Sequence, residues 1–251
     1  MKRSFTVTLT IITVICILLG ILIHTSPFSD RLPFMRNRDR ENGKVVRTDE
    51  SFENVASLSI DLDIMNVRFN RCDGNAVKLS FDGAETLSPI ARMDNSTLVI
   101  RQKKQKVHGI KEADSELIIS LPDGLALNNV DLDIDLGNLD LGNISADNLS
   151  ADLDMGNVEG SGVSAKDLDI DTDMGNVILK DTEFGNADIG SDMGNVEVYS
   201  KKNLDNYSFS FSTDLGNIVI NGDTVKKNYD KSGSEGSLDI GTDLGNIIVK
   251  Y

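Results

Sequence analysis

The chain has 251 residues, of which 39% are apolar and only 5% aromatic, with no Trp. Its net charge of -15 is concentrated in residues 110–251, which contain 9 Lys and Arg against 28 Asp and Glu. A surface this acidic keeps a protein soluble and accepts cationic partners or divalent ions. It repels nucleic acid and anionic lipid head groups, and we therefore expect no nucleic-acid partner.

The N-terminus contains an apolar run that predicts one transmembrane helix. Residues 5–23, FTVTLTIITVICILLGILI, carry no charge and are close to the length that spans a bilayer as a helix. The run is longer than the core of a cleaved signal peptide and is followed by a poor cleavage site. We predict a cytoplasmic tail at 1–4, an uncleaved transmembrane anchor at 5–24 and a polar linker at 25–51.

The orientation of this anchor rests on two opposing signals. The linker carries six Lys and Arg residues, which by the positive-inside rule would keep it in the cytoplasm. Acidic neighbours and distance dilute that signal, and Lys2 and Arg3 before an apolar run form the usual start of an exported protein. We therefore predict a single-pass protein of the cell membrane whose repeat domain, 52–251, lies outside the cytoplasm.

A short motif, Asp-Leu/Met-Gly-Asn, recurs six times. Its Asp residues are separated by 19, 19, 19, 22 and 29 residues, and they are Asp135, Asp154, Asp173, Asp192, Asp214 and Asp243. With this Asp as position 0, apolar residues, Thr or Ser fall at -5, -3, -1 and +1, and apolar residues, or Gly in one repeat, fall at +4 and +6. The pattern predicts a strand, a corner and a second strand in every repeat, with positions -5 to +1 facing inward alternately.

The corner is predicted at the Gly-Asn pair, where strict alternation breaks. Gly permits positive φ and Asn tolerates it. The predicted turn residues are Gly137, Asn138, Gly156, Asn157, Gly175, Asn176, Gly194, Asn195, Gly216, Asn217, Gly245 and Asn246.

A unit of about 20 residues cannot bury its apolar face alone, so successive units must stack. The sequence predicts an all-β fold, a β-solenoid or β-helix of short stacked strands with coils of about 19–22 residues. An antiparallel sandwich is the alternative, but hairpins have no reason to keep one period. The repeat frame also fits Asp63 with Met65 in place of Gly, so divergent first coils are expected in 52–109 and acidic repeats in 110–251. Strands are expected at 76–81, 97–102 and 116–121, and residues 223–237 are expected to loop out of the last coil.

These segments resemble a bacterial putative-adhesin family of β-strand repeats, a domain of unknown function. The resemblance is carried by LSIDLDIMNVRFNRCDGNAVKLSF, by LIISLPDGLALNNVDLDIDLGN and by the serial Asp-x-Gly-Asn units, over roughly residues 52–251. Asp-x-Gly-Asn stands where Ser-Gly-Asp is commoner in the family. The resemblance implies no enzyme activity, and some relatives are anchored in the membrane and face the cell envelope.

The aspartates at position 0 are also the candidate metal ligands. Stacked in register, these carboxylates and the acids at -2 and -4 would repel one another, and Ca²⁺ would relieve the repulsion. Alternatively, each Asp accepts a hydrogen bond from a backbone N–H two residues on and fixes the corner as an Asx-turn, while the Asn amides form a ladder between coils. The structural interpretation is favoured, and no other cofactor is predicted.

Catalytic motifs are not evident. His24 lies at the membrane boundary, His108 lies in a charged loop, and Cys16 and Cys72 cannot form a disulfide framework. We therefore predict a non-enzymatic, adhesin-like binding or scaffold module at the bacterial cell envelope, with an envelope protein or glycan as partner and a link to envelope-stress regulation as a variant. The alternative is a polysaccharide-acting β-helix enzyme that uses acidic pairs such as Asp171 and Asp173.

Overall fold

The computed structural model describes residues 45–102 and 115–251, which lie in a compact unit from Gly43 to Tyr251. The predicted tail, the anchor, the linker up to residue 44, His24, Cys16 and His108 lie outside the described residues. In the described part of the chain, no helix is long and apolar enough to cross a membrane.

The described residues form twenty strands and one short 3-10 turn, Glu85–Leu87. The strands are β1 Val45–Phe52, β2 Ser57–Ile64, β3 Asn66–Cys72, β4 Val77–Ala84, β5 Ile90–Asp94, β6 Thr97–Arg101, β7 Glu116–Pro122, β8 Leu127–Leu136, β9 Leu139–Asp140, β10 Ser145–Met155, β11 Val158–Ser161, β12 Ser164–Met174, β13 Val177–Met193, β14 Val196–Ser200, β15 Ser208–Leu215, β16 Ile218–Ile220, β17 Asp223–Val225, β18 Asn228–Lys231, β19 Ser237–Leu244 and β20 Ile247–Lys250. The all-β prediction is confirmed, and β4, β6 and β7 lie where strands were expected.

The strands form two parallel sheets joined by corners. In sheet B, β6, β2, β8, β10, β12, the second half of β13, β19 and β15 follow one another as parallel neighbours. In sheet A, the parallel order is β7, β3, β9, β11, the first half of β13, β14, β20 and β16. Each coil therefore contributes one strand to each sheet, as a solenoid requires.

The coils do not stack in chain order, contrary to the prediction that successive units lie side by side. The coil formed by β2 and β3 lies between two other coils. One of these is formed by β6 and β7, and the other by β8 and β9. At the other end, the last coil, β19 and β20, lies between the coil that ends with β14 and that of β15 and β16. This insertion explains why the 19-residue period fails after Asp192.

Antiparallel strands cover both ends of the stack. β4 pairs with β7, β1 with β4 and β5 with β6 at one end, while β17 pairs with β16 and β18 with β15 at the other. Strand edges left bare would template association with other chains. Residues 223–231, expected to loop out, instead form most of the second cap.

Strand β1 begins at Val45, seven residues before the predicted start of the repeat domain at 52. This strand pairs with β4 along one edge, and its residues are mostly exposed. It therefore lacks the alternation of apolar and polar residues that identifies the inner strands.

The core is a thin column of aliphatic side chains between the sheets. Positions -5, -3, -1, +4 and +6 face inward; in the repeat of Asp173 they are Leu168, Ile170, Thr172, Val177 and Leu179, all buried. Aromatic side chains concentrate at the end formed by β15 and β18: Phe209 stacks on Phe211 with 5.0 Å between ring centroids, and Tyr229 stacks on Phe211 at 6.2 Å. They close the end of the aliphatic column.

Position +1 was predicted to face inward, and this is wrong for the Asp-x-Gly-Asn repeats. Met155, Met174, Met193, Leu215 and Leu244 are 38–67% exposed. The chain has already begun to bend at position 0, so two successive residues, 0 and +1, face outward before Gly brings it round the corner.

Candidate functional site: the corner and the acidic face

The Gly of each repeat lies where two backbones approach closely. A Cβ on Gly156, Gly175, Gly194 or Gly245 would overlap the carbonyl oxygen of the glycine in the neighbouring coil. Among the six repeat glycines only Gly137 and Gly156 have positive φ, at 150° and 156°. Close approach of the backbone, more than a left-handed conformation, is therefore what selects Gly at this position.

The Asp of the repeat does not form the Asx-turn that was predicted. The N–H of Gly156 donates to the carbonyl of Met174 at 3.0 Å, and the N–H of Gly175 donates to that of Met193 at 3.1 Å. The donor that an Asx-turn would use is thus engaged between coils. An Asx-turn is present at a different corner, where the Asp140 carboxylate accepts from the N–H of Gly142 at 3.0 Å.

The Asn residues form the ladder that was expected of their amides. The Oδ1 atom of Asn157 accepts from both the backbone N–H of Asn176, at 3.0 Å, and its Nδ2, at 3.1 Å. The same pair of hydrogen bonds repeats from coil to coil, in the order Asn66, Asn138, Asn157, Asn176, Asn195, Asn246 and Asn217. The ladder supplies a backbone N–H with a partner at each corner, and it follows the stacking order of the coils, not their chain order.

The divergent first coil joins the ladder through Asn66 but has Met65 in place of Gly. Met65 is fully buried. In this coil the Gln102 side chain closes the corner, because its Oε1 accepts from the N–H of Ile64 at 2.9 Å and its Nε2 donates to the carbonyl of Leu87 at 2.8 Å.

The aspartates of the repeat lie on the outer face of sheet B, together with two further columns of carboxylates. In-register pairing aligns positions -4, -2 and 0 of neighbouring coils. The resulting acidic face consists of Asp131, Asp169, Asp188 and Asp239 at -4; Asp61, Asp133, Asp152 and Asp171 at -2; and Asp63, Asp135, Asp154, Asp173, Asp192, Asp243 and Asp214 at 0. Strands in a sheet are about 4.8 Å apart. Like charges therefore face one another along the whole column at 0, across the four strands from Asp61 to Asp171 at -2, and from Asp169 to Asp239 at -4.

Three carboxyl groups of the acidic face have a raised pKa. Partial desolvation, followed by the like charges of Asp171, Asp133, Asp154 and Asp173, raises the pKa of Asp152. Desolvation and the neighbouring Asp188 likewise raise the pKa of Asp169 and Asp239. A positively charged ligand would relieve this repulsion.

A groove of about 620 Å³ crosses this face. It runs over six adjacent strands, with the column at -6, mostly Asn and Ser, along one wall and the column at -4 along the other. Its lining residues include Asn129, Asn148, Asp169, Asp188 and Asp239. The five intervals between six strands, of about 4.8 Å each, give a length of roughly 24 Å. The groove therefore suits an extended ligand.

No group of three or more His, Cys, Asp or Glu side chains is placed to hold a metal ion within residues 45–102 and 115–251. The calcium hypothesis for Asp135, Asp154, Asp173, Asp192, Asp214 and Asp243 stays a prediction. The structure brings these six side chains into one column. Asp171 and Asp173, named for the enzymatic alternative, are exposed members of two adjacent columns.

Sequence reasoning missed two features of this region. It did not foresee the groove, because one wall of the groove is built from the side chains at -6 of several neighbouring coils. It also placed the side chains at +1 in the core, although Met at that position in three successive repeats could have suggested a surface role.

The fold is similar to that of one protein of solved structure. A crystal structure of a putative cell adhesion protein from Clostridium sporogenes is 15% identical and matches with a TM-score of 0.54, covering 82% of this chain and 99% of that one. A putative adhesin from Bacteroides fragilis is 13% identical, with a TM-score of 0.43 and coverage of 83% and 97%. A comparison with curated proteins gives no match. The model of the Toastrack DUF4097 family matches residues 55–249, so the chain belongs to this family, whose domain is of unknown function.

Proposed function

We propose that this chain is a non-enzymatic binding module of the bacterial cell envelope, which uses its acidic face to hold a cationic partner. The observation that carries the proposal is the grooved surface of sheet B, where fifteen aspartates are aligned in three columns. Fixed negative charge along a groove attracts positively charged ligands and speeds their association. A basic protein segment or an amine-bearing glycan of the envelope fits this chemistry.

In this proposal the chain is held at the membrane and meets its partner outside the cytoplasm. The apolar run at 5–24 is the membrane anchor, the basic segment before residue 45 links the anchor to the solenoid, and the solenoid lies outside the cytoplasm. The name of the similar structure from Clostridium sporogenes, a putative cell adhesion protein, supports a role in adhesion or scaffolding. Regulation of an envelope-stress response would use the same face, with a basic segment of a membrane protein as the partner.

The binding experiment uses the purified full-length chain and polylysine as the probe. Asp169→Asn, Asp188→Asn and Asp239→Asn together remove three charges from one wall of the groove. We expect affinity to fall at least fivefold and the dependence of the dissociation constant on salt to weaken, because three charge contacts are lost. The matched control replaces three exposed aspartates elsewhere, Asp73, Asp123 and Asp223, by Asn and removes the same net charge.

Equal losses in both triple variants would mean that net charge, not the groove, attracts polylysine, and the proposal would then fail. Location is tested separately, by adding protease to intact cells that produce the chain. Degradation of the solenoid is expected, and complete protection would contradict the proposed exposure outside the cytoplasm.

A further inference from the structure

A line of exposed apolar side chains runs beside the acidic face. Seven large apolar side chains are exposed in the described part of the chain, and five of them occupy position +1 of the repeats. With the half-buried Leu136, they form what we name the apolar stripe: Leu136, Met155, Met174, Met193, Leu244 and Leu215, in stacking order. Apolar residues scattered singly over a surface need no explanation, but a continuous line of them marks an interaction site.

The core does not require these side chains. The five exposed members are 38–67% exposed, whereas the residues at -1 and +4 on either side of them are buried. Met is flexible and polarisable, and surfaces rich in Met accommodate partners of varied shape. The stripe is therefore a contact surface and not a poorly buried part of the core.

Charge narrows the choice of occupant. The row of aspartates at position 0 adjoins the stripe along its whole length, since 0 and +1 are consecutive residues. A second copy of the chain has a net charge of -15, so like-charge repulsion opposes its approach to this row. Anionic lipid head groups would be repelled by it.

The spacing of the side chains in the stripe narrows the choice of occupant further. Neighbouring members of the stripe are about 4.8 Å apart, whereas side chains on one face of an extended strand recur every 6.6 Å or so. One turn of an α-helix advances about 5.4 Å. A helix laid along the stripe therefore stays nearly in step over several coils, and a strand does not.

We propose that the apolar stripe and its aspartate row form a docking site for an amphipathic helix with a basic flank. Five intervals of about 4.8 Å give roughly 24 Å, which a helix of about 16 residues covers. Its apolar residues lie on the methionines, and Lys or Arg residues on one flank face the aspartates. Peptides are often recognised in this way, as an amphipathic helix that lays its apolar face on an apolar surface.

The test uses the full-length chain and a synthetic 16-residue peptide of Leu and Lys, with Leu on one helical face. A scrambled peptide of the same composition carries the same charge without that face. We expect the amphipathic peptide to bind at least tenfold more tightly than the scrambled one. Met155→Ser, Met174→Ser and Met193→Ser together are expected to abolish this preference.

Two further variants serve as controls. Ile178→Ser, Val219→Ser and Ile248→Ser change half-buried apolar residues that face outward from sheet A, and they are expected to leave the preference intact. Asp154→Asn, Asp173→Asn and Asp192→Asn are expected to weaken binding of both peptides while the amphipathic one still binds better. Far-UV circular dichroism and thermal unfolding check that every variant is folded.

Equal binding of the two peptides would overturn the proposal, as would an unchanged preference in the methionine variant. So would Met-dependent binding to phosphatidylglycerol vesicles in place of the peptide, or a Met-dependent dimer in light scattering. These outcomes are separate from failure of the acidic groove, because that groove is tested with polylysine and with different aspartates.

Discussion

At the scale of single residues, two consecutive positions of the corner satisfy a steric and a polar demand. Gly removes the Cβ that would overlap the carbonyl of the coil on one side, and Asn, immediately after it, supplies the acceptor for a backbone N–H of the coil on the other side. Ser191, Thr213 and Thr242 add a third element, because each inward hydroxyl donates to a glycine carbonyl at 3.0–3.1 Å. These groups lie where two coils meet, so each repeat depends on its neighbour.

The steric role of Gly at the corner can be measured with one pair of variants. Gly175→Ala should lower the free energy of unfolding by about 3 kcal/mol or more, because its methyl group would overlap the Gly156 carbonyl and the coils would have to separate. Gly241→Ala is the control, since its Cβ would meet nothing closer than the Ser212 hydroxyl at 3.8 Å. We expect it to change stability by no more than about 1 kcal/mol. Urea unfolding compares the two, and equal effects would refute the steric explanation.

At the scale of the strands, parallel in-register pairing places identical positions side by side and so repeats each side chain's properties along a column. For the Asn residues the result is a favourable ladder. For the Asp residues it is repulsion, and desolvation together with this repulsion raises the pKa of Asp152, Asp169 and Asp239. Electrostatic repulsion between surface carboxylates is expected of a cation-binding face in the absence of its ligand.

The pH dependence of stability follows from the sign of these shifts. A carboxyl whose pKa is higher in the folded chain than in the unfolded chain favours the folded state when protonated. Stability should therefore fall as pH rises from about 4, the ordinary pKa of Asp, through the raised folded pKa, and stay lower above it. Asp152→Asn should be more stable than the parent chain near pH 7 and should lose part of this pH dependence.

The measurement is the free energy of unfolding in urea at about pH 4.5 and pH 7. Asp223→Asn, an exposed aspartate of β17 outside the acidic face, is the matched control and should retain the parent's pH dependence. If both variants behave alike, the repulsion within the columns does not govern this part of the pH profile.

At the scale of the whole molecule, the stack is closed at both ends and its chain order is rearranged there. Antiparallel strands cover the edges, and the C-terminal coil is held between two others. A chain terminus ordinarily frays, but β20 pairs on both sides, with β14 and with β16. Strand β20 is therefore held on both edges, like a strand of an inner coil.

Removing residues 237–251 tests this topology. Because β19 separates β13 from β15, its loss should leave β15 and β16 without their parallel partners, and residues 205–236 should become sensitive to protease. A stack in chain order would lose only its last coil and would keep 205–236 protected. Limited proteolysis followed by mass spectrometry distinguishes the two results, with deletion of the edge strand β1 as the control.

The sequence by itself determined the repeating unit of this protein. Alternation within the repeat identified the inward residues from -5 to -1 and at +4 and +6, and the fixed period predicted stacked coils, because both are properties of a strand and its nearest neighbours. The position of the corner and the Asn ladder followed from the same local pattern, as did the outward Asp columns.

Only the tertiary structure decided the order of the coils, the caps and the surface that position +1 forms. A coil of this kind presents similar edges to any other coil, so local sequence does not say whether β14 pairs with β16 or with β20. The outward turn at +1 depends on how closely two glycine corners approach, which is a contact between coils. The groove and the apolar stripe arise in the same way, since each is built from residues that are 19 or more positions apart in the chain and meet only when the stack forms.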